Sequence, residues 1–463
     1  MPRSPETGTL ELLSDACARA GSYLDSVAER QVRADPEAVE RLRAALATTL
    51  PQRGTPASDV LARLDLLGSP ATIANAGPRY FGFVTGGALP VTVAAGTLAL
   101  AWDQNAFSTT SSPAGALFEE TALAWLAELF HLPPGCGGAL VTGATLANVT
   151  ALAAARHALL AREGWDVESN GLFGAPPIEV WVGAEVHVSV RKALGLLGFG
   201  RDRVRTLEVD AQGRIRGDAL PSLAKTALVC AQAGNVNSGA SDPFVVLHDW
   251  CDGAGAWLHV DGAFGLFAAA SPERRGQVEG VEDADSWAVD GHKWLNVPYD
   301  CGAAFVRDPE ALRGSMSMQA SYLVEQATRE PFHWSPEFSR RARGVEVWAA
   351  LAALGREGVA DLVERCCRLA ACFAEGLRRG GHEVLNDVVL NQVVVSFGDD
   401  ATNTRVLERV QTEGECWCGP TTWRGRAAMR ISVSSWATRE EDVERSLASI
   451  LGCAAAVKNK TAD

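Results

Sequence analysis

Apolar residues recur at three- and four-residue intervals from Leu10 to Val32 and from Val39 to Leu50, and Asp35-Pro36 precedes the second run as a helix-start signal. The spacing returns over Phe118–Phe130. Between these stretches, Arg79-Tyr-Phe-Gly-Phe-Val-Thr-Gly-Gly-Ala88 is rich in glycine and aromatics and reads as a surface loop or pocket lip rather than a strand. From Ala139 the pattern changes to short apolar runs alternating with helical stretches. Strands are expected at Ala139–Thr142, Ile178–Val182, Val204–Val209, Ala227–Ala231, Trp257–Val260, Ser286–Val289 and Ala303–Val306. Helices are expected at Leu146–Leu160, Ser189–Leu197, Ala219–Lys225 and Val245–Gly253. Strands alternating with helices predict a mainly parallel sheet with helices on both faces. A long helix over Val345–Arg378 then leads into strands at Val393–Phe397 and Met429–Val433, with helices at Arg405–Glu413 and Glu440–Leu451. The expected organisation is an N-terminal helical segment (1–85), a large α/β domain (86–335) and a small C-terminal α+β domain (336–463).

Composition narrows the function classes. The 463 residues are 47% hydrophobic and 21% charged, a globular balance with ample chain for a buried core. Lysine and arginine number 42 against 56 aspartates and glutamates, so the net charge of −14 argues against nucleic acid or an anionic membrane as partner. The most apolar run, Ala88–Trp102, contains Pro90 and Gly96 and falls short of the ~20 residues a membrane span needs. The N-terminal sequence MPRSPETGTLELLSD lacks the apolar core of a signal peptide, and the eleven cysteines are scattered through apolar stretches, as in a reducing cytosol. Cys416-Trp-Cys418 has the wrong gap for a zinc site and no matching pair, so no metal is expected. A cytoplasmic enzyme is the expectation.

The sharpest chemical signal is Asp261 in Leu258-His-Val-Asp-Gly-Ala-Phe264, followed by Lys293 in Val289-Asp-Gly-His-Lys-Trp-Leu295. Each charge closes an apolar strand, and the carboxyl ends of parallel strands are where α/β sheets bind ligands. A desolvated lysine loses its proton more readily, which Schiff-base chemistry requires. From these two residues alone, a working pair and two unrelated surface charges are equal readings. Thr142-Gly-Ala-Thr145 sits between a strand and a helix, where backbone N–H groups and the helix dipole suit a phosphate.

His-Val-Asp-Gly-Ala and Asp-Gly-His-Lys-Trp together resemble the signature of the group II pyridoxal-phosphate-dependent amino-acid decarboxylases, the family of aromatic-amino-acid and glutamate decarboxylases. The resemblance runs along nearly the whole chain, through Tyr80-Phe-Gly-Phe83, Ser112-Pro-Ala-Gly-Ala-Leu-Phe-Glu119, Thr142-Gly-Ala-Thr-Leu-Ala-Asn148, Glu185-Val-His187, Gly234-Asn-Val-Asn-Ser-Gly239 and Arg341-Ala-Arg-Gly-Val-Glu-Val-Trp348. It implies the fold type I architecture: a mainly parallel seven-stranded sheet, a smaller C-terminal domain, and a homodimer with the site at the interface. It also implies that pyridoxal 5′-phosphate is held by Lys293 through a Schiff base, with Asp261 at the pyridine nitrogen, Ala263 under one ring face and His187 stacked on the other. Ala144 and Thr145 would hold the phosphate with His292 nearby, and Asn148 either bonds the cofactor or caps locally.

Some positions depart from the family pattern or read two ways. Asp290 stands where the family often has Asn, and a carboxylate beside a phosphate is unfavourable. The segment taken as the mobile loop, Arg329-Glu-Pro-Phe-His-Trp334, has no tyrosine to return a proton to Cα; the chain's four tyrosines are Tyr23, Tyr80, Tyr299 and Tyr322. His187 or His333 is the expected substitute. Arg430 either binds a substrate carboxylate or lies on an exposed face, and Phe83 and Phe107 either touch substrate or pack. With Phe81 and Trp102 they hint at an apolar or aromatic substrate. The leading expectation is decarboxylation of an L-amino acid to an amine. The alternatives are oxidative decarboxylation-deamination to an aldehyde, another lyase or aminotransferase reaction, and a cofactor-binding protein without turnover.

Overall fold

A computed structural model describes residues 8–318 and 329–459. The apolar runs at the centre of the chain form fully buried strands: β2 (Gly137–Val141), β3 (Glu179–Gly183), β5 (Ala227–Gln232), β6 (Trp257–Asp261), β7 (Ser286–Asp290) and β8 (Gly302–Val306), with the shorter β4 (Arg205–Leu207) and, earlier in the chain, β1 (Tyr80–Phe81). Seven of them make one sheet in the order β2-β8-β7-β6-β5-β3-β4. Only β8 runs against its neighbours, because the connection over residues 291–301, which includes the helical turn Gly291–Trp294, returns the chain directly beside β7. The sheet is covered on both faces, so its strands read as continuous rather than alternating apolar runs. One covering helix, Ala144–Arg162, lies across β6, β7 and β8.

A second sheet has the order β1-β11-β12-β10-β9, built from β9 (Glu383–Val384), β10 (Gln392–Ser396), β11 (Trp417–Trp423) and β12 (Arg426–Ser432). Its first strand comes from the glycine-rich stretch expected to be a lip. Tyr80 and Phe81 pair parallel with Trp417 and Cys418, and Phe81 is buried edge-to-face on Phe373. Arg79 is buried beside them, its guanidinium donating to the carbonyls of Ala28, Arg30 and Glu415. The strand at 417–423 escaped the sequence pattern because Gly419 and Pro420 discourage that reading. With β1 only two residues long, β11 is an edge from Gly419 onward, and Pro420 sacrifices no ladder bond there. Cys416 and Cys418 are buried free thiols of the core.

Three other expectations change. Residues 219–225 form no helix: Pro221 interrupts the run, and its carbonyl accepts the indole N–H of Trp250. The long helix, Gly344–Arg379, is broken at Gly355, whose φ of 62° only glycine adopts readily. The segment Arg329–Trp334 is not an open loop. Pro331–His333 is a buried 3₁₀ turn, Glu330 binds the backbone N–H and hydroxyl of Thr109, and Arg329 reaches the carbonyl of Gly138. The run Ala88–Trp102 becomes the helix Pro90–Trp102, and no helix of the described residues is long and apolar enough to cross a membrane.

Candidate active site

The carboxyl ends of β2, β3, β6 and β7 lie along one edge of the large sheet, and each delivers a residue. Register sets Gln232, Asp261 and Ala288 side by side on β5, β6 and β7. Asp261 ends β6 and is buried. Its Oδ1 accepts the backbone N–H of Ala263 at 3.1 Å, and its Oδ2 accepts from Asn148 Nδ2 at 3.3 Å and Ser189 Oγ at 3.5 Å. Asn148 therefore faces the carboxylate rather than capping its own helix. Ala263, half-buried, stays within two residues of that carboxylate.

His187 follows β3 and opens the helix Val188–Leu196. Its Nδ1 accepts the backbone N–H of Ser189 at 3.2 Å and lies 2.7 Å from that residue's hydroxyl, so the ring proton sits on Nε2. Burial holds His187 below the usual imidazole range, with Lys293 and Arg430 pushing the same way and Asp261 opposing. The turn before it is fixed from β5: Gln232 Nε2 and Asn235 Nδ2 both donate to the carbonyl of Glu185.

Lys293 lies on the helical turn Gly291–Trp294 that closes β7, half-buried, its Nζ 5.9 Å from the ring centre of Phe264. Asn296 holds that turn by donating to the carbonyls of Lys293 and Ser434 and accepting the N–H of Trp436. Gly86 passes so close that a Cβ there would lie 2.7 Å from the Lys293 carbonyl oxygen. The glycine-rich loop thus does reach the site, through its backbone. On the other side of the turn, the His292 ring lies 4.3 Å from that of Tyr299, and both line a cavity of about 440 Å³ shared with Thr85, Val297 and Arg341.

Between β2 and its helix, Gly143 adopts φ 154° and touches Gly302 so closely that a Cβ on Gly302 would meet the Gly143 backbone at 2.4 Å. Asp290 occupies the mouth of this turn. Its Oδ2 accepts the N–H of Ala144 at 3.0 Å, and its Oδ1 lies 2.8 Å from His292 Nδ1. The carboxylate that looked misplaced beside a phosphate is thus bound to the helix N-terminus and paired with an imidazole. Ala144 is buried and Thr145 exposed on the first turn.

Arg430 corrects one alternative. It is buried on β12 rather than exposed; Nη1 donates to the carbonyl of Val236, and Nε has no hydrogen-bond partner among the described residues. The aromatic lip is also corrected. Phe81 is core, Trp102 stacks on Phe118, and Phe107 packs between Phe332 and Phe338. Phe83 is the most exposed of the four, tilted against Trp417, and Trp102 is also partly exposed. His333 is buried beside Phe332, and Tyr322 lies outside the described residues. Ser189, Gln232 and Asn296 were not singled out in the sequence; nothing in their local pattern marks them.

The donor set is specific. An amine, a buried carboxylate and a neutral imidazole meet beside a glycine turn at a helix N-terminus, with an unpartnered buried guanidinium nitrogen nearby. Such a set fits an anionic, aldehyde-bearing pyridine, and on a mainly parallel seven-stranded sheet it defines a fold type I pyridoxal-phosphate enzyme. The family model of the pyridoxal-dependent decarboxylase conserved domain matches residues 40–397, and the chain belongs to that family. Tryptophan decarboxylase 1 of Oryza sativa subsp. japonica is 29% identical over 80% of this chain and 78% of its own. Phenylacetaldehyde synthase of Arabidopsis thaliana is 26% identical over 73% and 74%. The crystal structure of Oryza sativa TDC with PLP and tryptamine superimposes with a TM-score of 0.89, covering 98% of this chain and 99% of that one at 24% identity. The protein is a pyridoxal-phosphate-dependent carboxy-lyase of the amino-acid decarboxylase family.

Proposed function

We propose that the protein decarboxylates an L-amino acid to the corresponding amine, with Lys293, Asp261 and His187 as its working residues. The observation that carries this reading is the junction of Asp261, Asn148, Ser189 and His187 at the end of β6, with Lys293 held one strand away. Pyridoxal phosphate, when bound, supplies the electron sink that lets the Cα–carboxylate bond break. Lys293 supplies the amine that anchors the aldehyde. Asp261 holds the proton on the pyridine nitrogen, and its fixed hydrogen bonds keep it aimed. His187 would pack its neutral ring over the cofactor, and Ala263 would offer it a small apolar surface. The exposed first turn at Thr145, with His292, would receive the phosphate, whereas the Ala144 N–H is already held by Asp290. Asp290 holds His292 in place. Arg430, buried and with one nitrogen unpartnered, receives a substrate carboxylate.

The case for an aldehyde-forming branch rested on a mobile loop without tyrosine. That segment is core, so it offers no support for the oxidative branch. The aromatic-substrate hint weakens likewise, since Phe81 and Phe107 pack against other rings and Trp102, though partly exposed, is stacked on Phe118. We also read the protein as a cytoplasmic homodimer with its site at the interface. Leu10, Leu46, Leu64 and Leu66 on the first helices are each about two-thirds exposed or more among the described residues. A panel of L-amino acids, assayed under air and under nitrogen for amine, carbon dioxide, aldehyde and peroxide, tests the reaction. Stoichiometric amine and carbon dioxide without peroxide is expected; peroxide and aldehyde as main products would replace this reading with the oxidative one.

A further inference from the structure

Behind Asp261, away from the residues already assigned, four buried polar groups stand in line. Alternation along β6 puts Trp257, His259 and Asp261 on one face of the strand, toward the helix that carries Asn148. Register places Ser286 of β7 beside His259. His259 and Asn148 are wholly buried. Trp257 Nε1 lies 2.9 Å from Ser286 Oγ, and Ser286 Oγ lies 2.9 Å from His259 Nδ1. His259 Nε2 is 2.8 Å from Asn148 Oδ1, and Asn148 Nδ2 is 3.3 Å from Asp261 Oδ2.

The ends fix the direction. An indole N–H only donates, and a carboxylate oxygen only accepts. Asn148 must turn its amide NH₂ to Asp261, which leaves its carbonyl oxygen for His259. His259 must then donate from Nε2. Burial pushes its imidazole down to about 4, so the ring is neutral near pH 7 and Nδ1 accepts from the Ser286 hydroxyl. Ser286 in turn accepts from Trp257. Every donor in the series points toward Asp261, and each bond polarises the next.

We propose that His259 is a positioning residue for the cofactor's pyridine nitrogen, acting through a one-way hydrogen-bond chain Trp257 to Ser286 to His259 to Asn148 that ends on Asp261. It rests on the reading of Asp261 as the partner of that nitrogen. The chain stabilises the charge on Asp261 and fixes the oxygen that Asn148 holds. Without His259, the Asn148 amide has no anchor for its orientation and leaves an unpaired carbonyl in the core.

The test compares His259→Leu, His259→Gln, Ser286→Ala and Asp261→Asn with the wild type. The readouts are the dissociation constant for pyridoxal phosphate, the pH dependence of the bound cofactor's visible absorption, and the melting temperature. His259→Leu is expected to weaken cofactor binding about tenfold and to shift the absorption profile, as for loss of a hydrogen bond serving a charged group. His259→Gln, which keeps an N–H for Asn148, restores most of the loss, and Ser286→Ala falls between. Wild-type protein with ¹⁵N-labelled histidine, free of cofactor, is expected to show His259 with its proton on Nε2. Wild-type affinity and absorption in His259→Leu with only a lower melting temperature would overturn the proposal, as would a proton on Nδ1. If His259→Leu does not fold, Ser286→Ala and the tautomer decide by the same criteria. If Asp261→Asn itself leaves affinity and absorption unchanged, the assignment of Asp261 fails. If Asp261→Asn shifts them and the His259 and Ser286 variants do not, only the chain fails.

Discussion

On the proposed reading Lys293 and Asp261 do different work, and their substitutions separate it. Lys293→Ala removes the amine while leaving the Ala144 cradle and Asp261 in place. Cofactor is therefore expected to bind weakly and to resist fixation by borohydride; fixation to that variant would make another lysine the anchor. Asp261→Asn keeps the size of the side chain and its bond from the Ala263 N–H. A neutral amide does not hold a proton on the pyridine nitrogen, and turnover is expected to fall about 10²-fold, from a charge term of a few kcal/mol. Steady-state rates at saturating cofactor check this. His259 adds a pH dependence to the fold itself. Its imidazole sits at about 4 in the folded chain against 6.5 when free. The unfolded chain binds the proton more readily, so the stabilisation is full above about 6.5 and is lost as pH falls toward 4, by up to about 3 kcal/mol. Asp242, pushed up to about 7 by burial, acts oppositely, its contribution being lost as pH rises from 3.8 toward 7. The informative quantity is thus the difference between wild type and His259→Gln in urea unfolding, which is expected to narrow between pH 6.5 and pH 4.

Among the elements, the pair of turns at Gly143 and Gly302 shapes the loop proposed to receive the phosphate. The two backbones touch, so the first turn of the Ala144–Arg162 helix is set by the start of β8. Gly302→Ala places a methyl against the Gly143 backbone, where no flexible side chain can yield. We expect a loss of about 1–3 kcal/mol in stability, as for other overpacked sites, and weaker cofactor binding. Gly276→Ala serves as the control for a glycine substitution without overpacking, because its Cβ would meet nothing within 4 Å and its backbone, like that of Gly302, is not left-handed. Equal cofactor affinity in Gly302→Ala and wild type would show that the two turns are not coupled. A second group of elements explains motifs with no part in the chemistry. Arg340 donates to the carbonyls of Ala106 and Leu140 and to Glu119, which clamps the Ser112–Glu119 stretch and β2 to the chain before the long helix.

Across the whole molecule, the first helices are the least self-sufficient part. Among the described residues, the helices Thr9–Ser26 and Ala57–Gly68 fully bury none of their own. An amphipathic helix without a covered face needs a partner, and a two-fold dimer supplies the same surface to both subunits. Sedimentation velocity is expected to give a dimer across the concentrations used for assay. Leu64→Asp combined with Leu66→Asp is expected to shift it toward monomer with loss of bound cofactor. A monomeric wild type with full activity would remove the interface from the site.

Local pattern marked the strands from Ala139 to Val306, though not the irregular stretch at 219–225 that it read as a helix, because buried strands need unbroken apolar runs and their ends need glycine or charge. It also marked Asp261, Lys293 and the Thr142–Thr145 turn, since such residues at strand ends have few structural reasons to be there. His259 was within reach as well: it stands two residues before Asp261, and period-two alternation places both on one face. Tertiary structure alone decided the rest. Whether Phe107 or Arg430 was exposed depended on chain segments far away in sequence, and local pattern carries no record of them. Asp290 looked misplaced until the fold brought it to the N–H of Ala144, 146 residues earlier. Tyr80 and Phe81 of the glycine-rich segment became a strand because Trp417 and Cys418 lay ready to pair with them. Residues 329–334 became core because Thr109 and Gly138 came to meet them. Local sequence sets what a segment is able to form, and long-range contacts select which side of it meets water, which meets the core and which meets the cofactor.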